Sequence, residues 1–291
     1  MKSALILSAI VIVLSYFASI TYKDKISEKS KNNLTKVENK SSSNYTIKNT
    51  YKLPKSLNEI SGIVWLSSNM FACVEDESGT VFIYNTKEQT ITKEIKFAGK
   101  GDYEAIAIND NDAYILRSDG LIYEVKNYDS ENLETSKIAT SFKQYNNMES
   151  LTLDRGNDQL LITPKDYDFG KKHIKSIYKI PLSSKKMDAN PIINIDLKAN
   201  ILEDFKKKKI RETLSPSDIA VHPKTKDIYV IDGRNPKLLI LNSEGEIKDV
   251  FELDKHKFAQ PEGITFSTDG RLFISNEANK EEANILEVEL K

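Results

Sequence analysis

The sequence predicts an all-β fold: a five-bladed β-propeller following an N-terminal membrane segment, with six blades as the alternative count. Three observations carry this. One phrase, an acid or serine running into an apolar strand, recurs five times; each copy is followed by further strand-length runs separated by turn residues; and helical periodicity is almost absent. The chain divides into residues 1–21 (anchor or signal segment), 22–44 (polar linker) and 45–291 (propeller).

Taken in order, Ala4–Ile20 is an uncharged apolar run flanked by Lys2, Lys23 and Lys25. At 1.5 Å per residue it spans roughly 25 Å as a helix, enough to cross a bilayer if flanking residues extend it. A single-pass anchor with the propeller outside the cytoplasm is the primary expectation. A cleaved signal, leaving a secreted or periplasmic protein, is the alternative, although Ala18-Ser19-Ile20 ends in a residue too bulky for a good cleavage site. From Tyr22 to about Ser43 the chain is Lys, Ser, Asn and Glu with almost nothing to bury, the composition of a tether.

The recurring phrase reads NEISGIVW (Asn58–Trp65), DYEAIAI (Asp102–Ile108), NMESLTL (Asn147–Leu153), SPSDIAV (Ser215–Val221) and QPEGITF (Gln260–Phe266). Aligned on Ser61, Glu104, Glu149, Ser217 and Glu262, the spacings are 43, 45, 68 and 45 residues, the range of propeller blades, with one insertion. Unit one shows four strands, GIVWL, MFACVED, TVFIYNT and TITKEIKF, rich in β-branched and aromatic residues. The last unit lacks an outer strand, and Tyr45–Leu53 precedes the first, so it is expected to close the ring there. The insertion holds Ile201–Arg211, an amphipathic turn or two; a degenerate unit within Asp188–Ser215 would make the sixth blade.

Composition removes several functions. With 42 Lys and Arg against 43 Asp and Glu, nothing favours nucleic acid as a partner. The positive charge concentrates in Thr21–Thr50, leaving the folded part mildly acidic. Cys73 is the single cysteine, which excludes a disulfide framework and a cysteine-based zinc cluster; within FACV it reads as a small buried side chain. Trp65, ending a first strand, reads as core, and the Lys206–Lys209 run as a solvated face with anionic lipid a minor option.

The ordered set NEISGI, DYEAIAI with AYILRSDGLIYEV, SDIAVHPKTKDIYVID and QPEGITFSTDGRLFISNE resembles the SdiA-regulated, YjiK-like family of bacterial β-propellers over roughly residues 50–291. The resemblance implies an exported or membrane-associated propeller, related in shape to phytase-like five-bladed folds and associated with calcium. Ser61 and the Ser217-Asp218 pair depart from the glutamate of the other three repeats.

In a propeller the innermost strand starts at one mouth of the channel and the next strand returns to it, so residues from both positions should converge. Glu104, Glu149, Glu262 and Asn276 are the expected metal ligands. Glu59, Asp76, Arg117, Asp119, Lys165, Asp166, Asp232, Arg234 and Glu277 are the expected ligand-binding rim. Crowded carboxylates need a counter-charge, and calcium, which takes about six to eight oxygens in adaptable geometry, suits donors drawn from several blades. The other reading is a water-filled mouth in which the acids are paired with Arg117, Lys165, Arg211 and Arg234. No nucleophile elbow, zinc-protease helix, P-loop or dinucleotide fingerprint occurs, and His173, His222 and His256 are scattered. The expected function is a tethered module that binds calcium and presents a surface to a small anion or an envelope protein. A calcium-dependent hydrolase, phosphoesterase or lactonase, is the alternative.

Overall fold

The computed structural model describes residues 44–170 and 172–291, so the expected anchor and most of the tether lie outside the described residues. Among the described residues no helix is long and apolar enough to cross a membrane. A compact unit spans Tyr45–Lys291. Its strands are β1 (Tyr45–Lys52), β2 (Ile60–Ser67), β3 (Met70–Glu75), β4 (Thr80–Asn85), β5 (Thr90–Lys96), β6 (Tyr103–Asn109), β7 (Asp112–Arg117), β8 (Ile122–Lys126), β9 (Glu134–Ile138), β10 (Met148–Asp154), β11 (Gln159–Pro164), β12 (Ile174–Pro181), β13 (Ile193–Asp196), β14 (Pro216–Val221), β15 (Ile228–Asp232), β16 (Lys237–Leu241), β17 (Ile247–Glu252), β18 (Pro261–Phe266), β19 (Leu272–Asn276) and β20 (Asn284–Leu290).

These strands form five antiparallel four-stranded sheets: β2 to β5, β6 to β9, β10 to β13, β14 to β17, and a last sheet ordered β18-β19-β20-β1. The six-bladed alternative is thereby excluded, and the first strand of the ring completes its last blade, pairing Tyr45 with Leu290 and Lys52 with Asn284. Covering the edge of β20 in this way removes an open seam that would otherwise template aggregation. The long insertion carries 3₁₀ turns at Asn200–Phe205 and Ile210–Thr213 rather than another blade.

Each innermost strand touches the next around the ring, β2 to β6, β10, β14, β18 and back to β2. The core follows from strand alternation: in blade 1, Ala72, Val74, Val81 and Ile83 pack toward blade 2, while Phe71, Cys73, Phe82 and Tyr84 pack toward blade 5. Five such apolar clusters fill the five interfaces, so no single hub holds the molecule together. Approach at the axis is close enough that a Cβ on Gly62 would stand 2.8 Å from Ala105 Cα on the next blade.

Candidate functional site

Each innermost strand begins with a β-bulge, and the bulged residues are Ser61, Glu104, Glu149, Ser217 and Glu262, the five positions on which the repeats align. A bulge inserts one unpaired residue and re-aims its side chain. That answers why acids stand against apolar runs: the bulge turns them out of the ladder while the following residues enter the core. The two serines use the same geometry differently, donating to the next blade: Ser61 Oγ to Tyr103 O at 2.7 Å and Ser217 Oγ to Pro261 O at 2.6 Å. Their shorter side chains stitch backbone where the glutamates reach into the mouth.

Glu104, Glu149 and Glu262 gather around one lysine. The Lys165 ammonium forms a short ion pair with Glu149 Oε2 and lies 3.9 Å from Glu262 Oε2, with the three side chains only 7–12% exposed. Gly233 makes room for Glu262, since a Cβ there would stand 3.2 Å from Glu262 Oε1. Burial raises the Glu104 carboxyl to about 10, helped by the charges of Glu149 and Asp102 and opposed by Lys165. Glu149 is likewise lifted by burial, to about 8, with Lys165 pulling the other way. Burial alone would lower Lys165, but Glu262 and Glu149 outweigh it and hold the ammonium above its ordinary value. The chain's own cation thus occupies the centre in which the sequence reading set a metal.

The remaining acids crowd the side formed by blades 5, 1 and 2. Carboxylate oxygens of Glu59, Glu75 and Asp76 all lie within 4.8 Å of one another. Asp76 Oδ1 is buried with no hydrogen-bond partner, and burial together with Glu59 and its neighbours raises this carboxyl to about 6. Glu277 is raised to about 7 by burial, Glu262 and Asp76. Glu75 is partly committed, accepting from Glu77 N at 3.0 Å and Ser78 N at 2.5 Å.

The other expected site residues are held elsewhere. Arg117 and Asp119 make a bidentate pair at 3.0 and 2.7 Å, and the guanidinium leans over Tyr123 on the third strand of its blade. Asp166 clamps Arg234 across the seam between blades 3 and 4 at 2.5 and 3.1 Å. Asp232 is wholly buried against Lys237 and caps Ser215 N at 3.0 Å and Asn235 N at 2.9 Å, a structural assignment. Asn276 is buried, its Nδ2 donating to Asn284 Oδ1 at 2.9 Å and its Oδ1 left without a hydrogen-bond partner.

Three further residues hold the site, of which Lys175 and Asn147 were not candidates, while Asp218, the acid at the start of its innermost strand, takes a structural role. Asp218, fully buried, accepts from Ile219 N at 2.8 Å, Ile264 N at 2.9 Å and Leu151 N at 3.4 Å, joining three innermost strands through one carboxyl. Lys175, 1% exposed, donates to Lys165 O and Asp166 O at 2.9 Å each, bracing the segment that carries the central lysine. Asn147 Nδ2 donates to Glu149 Oε1 at 2.7 Å. A signal for Lys175 existed in its parity, two residues before the buried Ile177. The opposite mouth is different in kind: a cavity of about 430 Å³ walled by Trp65, Ile108, Leu153, Val221 and Phe266.

Solved structures share the ring. A glutaminyl cyclase from Myxococcus xanthus superposes with a TM-score of 0.61 at 12% identity, covering 85% of this chain and 96% of that one. A PQQ-bound aldose sugar dehydrogenase from Streptomyces coelicolor gives 0.51 at 12% identity over 85% and 98%. A streptogramin B lyase gives 0.50 at 12% identity over 84% and 98%. Identity this low establishes the shared fold alone. Among curated proteins none matches the sequence. A family match over residues 37–277, coinciding with the bulged repeats of all five blades, makes this chain a member of the SdiA-regulated family.

Proposed function

We propose that the protein is a membrane-tethered, extracytoplasmic binding module whose acidic mouth takes a hard cation, calcium, and presents the surrounding rim to a ligand or partner. One observation carries the cation: Asp76 Oδ1 is buried and unpartnered beside Glu59 and Glu75, with oxygen donors within 4.8 Å of one another. The donor set is all oxygen and comes from the turn before β2 and from the end of β3 with the turn after it, which suits an adaptable, oxygen-seeking ion better than magnesium or zinc. Glu59 and Asp76 would hold it, with Glu75 contributing beside its turn contacts. The Glu104, Glu149 and Glu262 set is the poorer host because Lys165 already supplies its positive charge. Calorimetric titration with calcium chloride tests this directly. Heat of binding that disappears in Asp76→Asn supports the site; no heat and no change in melting at millimolar calcium removes it.

A second reading has its own observation. Glu104 and Glu149 stand on adjacent blades with carboxyls raised to about 10 and about 8, so one is protonated while the other exchanges near neutrality, the pattern of general acid–base pairs. All three of the solved structures described above are named as enzymes, a cyclase, a dehydrogenase and a lyase. Calcium-dependent turnover of phosphoester or lactone substrates, lost in Glu149→Gln, would favour the hydrolase; calcium binding without turnover favours the module.

A further inference from the structure

Next to the acidic half of the mouth lies a surface of opposite character, on the loops entering β10 and leaving β11. Tyr145, Tyr167 and Phe169 are 62%, 49% and 47% exposed. Their loops are braced. Asn146, wholly buried, donates from Nδ2 to Tyr167 O at 2.6 Å and accepts from Lys143 N at 2.8 Å. Asp168 accepts from Ser176 N at 2.7 Å and from the Tyr178 hydroxyl at 2.6 Å. Phe169 stacks on buried Phe142 with centroids 4.6 Å apart and meets Tyr178 edge-on at 5.9 Å, and Tyr145 meets Tyr167 edge-on at 6.5 Å. Apolar surface held this firmly in solvent marks a binding surface.

The charge beside it is positive. Arg211 lies over the Tyr167 ring at 4.7 Å, and no carboxylate pairs with it among the described residues. It belongs to the Lys206–Arg211 segment, in which Lys206 and Lys209 pair with Glu203 and Glu212 while Lys207 and Lys208 have no acid partner among the described residues.

We propose that this ledge binds an anionic sugar, a phosphorylated or carboxylated pyranose, with the ring against Tyr145, Tyr167 and Phe169 and the anionic group on Arg211. An aromatic shelf offers flat faces to C–H-rich rings, and a guanidinium without an acid partner is the side chain best shaped for phosphate or carboxylate. Charge complementarity selects this occupant. A basic peptide would be repelled by Arg211, an anionic membrane would meet the acids of Glu59, Asp76 and Glu277 across the mouth, and a neutral sugar would leave the guanidinium unused. The ledge needs no bound cation, so it stands apart from the calcium reading.

The test is calorimetric titration of the full-length protein, in EGTA and a non-glycosidic detergent, with glucose 6-phosphate, glucose and inorganic phosphate. Glucose 6-phosphate should bind about tenfold or more tighter than either fragment. Tyr167→Ala and Arg211→Ala should each weaken it about fivefold or more, with melting unchanged because both side chains are partly in solvent. Asp76→Asn, the variant expected to lose calcium binding, should leave it unaltered. Equal affinity for phosphate and glucose 6-phosphate, absence of binding by all three, or binding indifferent to both ledge substitutions overturns the proposal. Preference for adenosine monophosphate would also overturn it, pointing to a nucleotide instead.

Discussion

Replacing Lys165 with methionine keeps most of the stem volume and removes the ammonium around which Glu104, Glu149 and Glu262 are arranged. The Lys165, Glu149 and Glu262 side chains are only 11%, 7% and 12% exposed, so bulk solvent screens them little. Truncating one partner of a buried ion pair costs about 3–5 kcal/mol. At about 2–4 °C per kcal/mol for a domain of this size, the melting temperature should fall by about 6–20 °C at pH 8. The loss must shrink on acidification. Burial already lifts Glu104 to about 10 and Glu149 to about 8 in the presence of the lysine, so Glu104 is protonated throughout and Glu149 takes up its proton as the pH falls through about 8, more readily still without the lysine. At pH 5 Glu104 and Glu149 are both neutral, and about 1 kcal/mol for the lost hydrogen bond should remain from them. Melting followed by circular dichroism at pH 5, 6.5 and 8 in 0.15 M salt measures the difference. Equal losses at pH 5 and pH 8, or none at pH 8, would refute the idea that this ammonium is the counter-charge of the mouth.

The unmodified protein should itself lose stability as pH rises from about 5 to 8: Glu104 and Glu149 have folded values above their ordinary ones, so the folded state holds more protons there and gives up that advantage on alkalinisation, visible as a falling melting temperature. Calcium affinity should rise over the same range, because Asp76, raised to about 6, and Glu277, raised to about 7, must shed protons near the ion; calorimetry at pH 5.5 and 8 would show a flat profile if these acids were uninvolved. Asp218→Ala should cost about 2–4 kcal/mol by stranding the backbone N–H groups of Ile264 and Leu151, read as a lower denaturant midpoint with an unchanged slope. Removing residues 45–52 should uncover the β20 edge and drive self-association, seen by size-exclusion chromatography as a shift to larger species than the unmodified protein forms.

Much of this architecture was written in the spacing of residues. The alignment on Ser61, Glu104, Glu149, Ser217 and Glu262 located the bulge of every innermost strand, because the bulge is a local backbone event that each repeat encodes in the same few residues. Closure of the ring by Tyr45–Lys52 was legible for a similar reason: a last unit one strand short and an unassigned strand at the start have one economical solution. The departures at Ser61 and Ser217 were visible as departures, but their purpose was not, since the carbonyls they reach belong to neighbouring blades.

The sequence by itself determined that one blade-length unit recurs five times, leaving a sixth open, and pointed its acids toward a common mouth, since strand period and repeat length are properties of contiguous residues; the sheet order then fixed five blades. Only the tertiary structure decided which charge meets which. Lys165 reaches Glu149 and Glu262, Asp232 is sealed under Lys237, and Arg117 turns to Asp119, while Asp76 is left with a buried oxygen and no partner. Those choices depend on a few ångströms between loops from different blades, and side-chain electrostatics falls off over that distance while sequence patterns carry no measure of it.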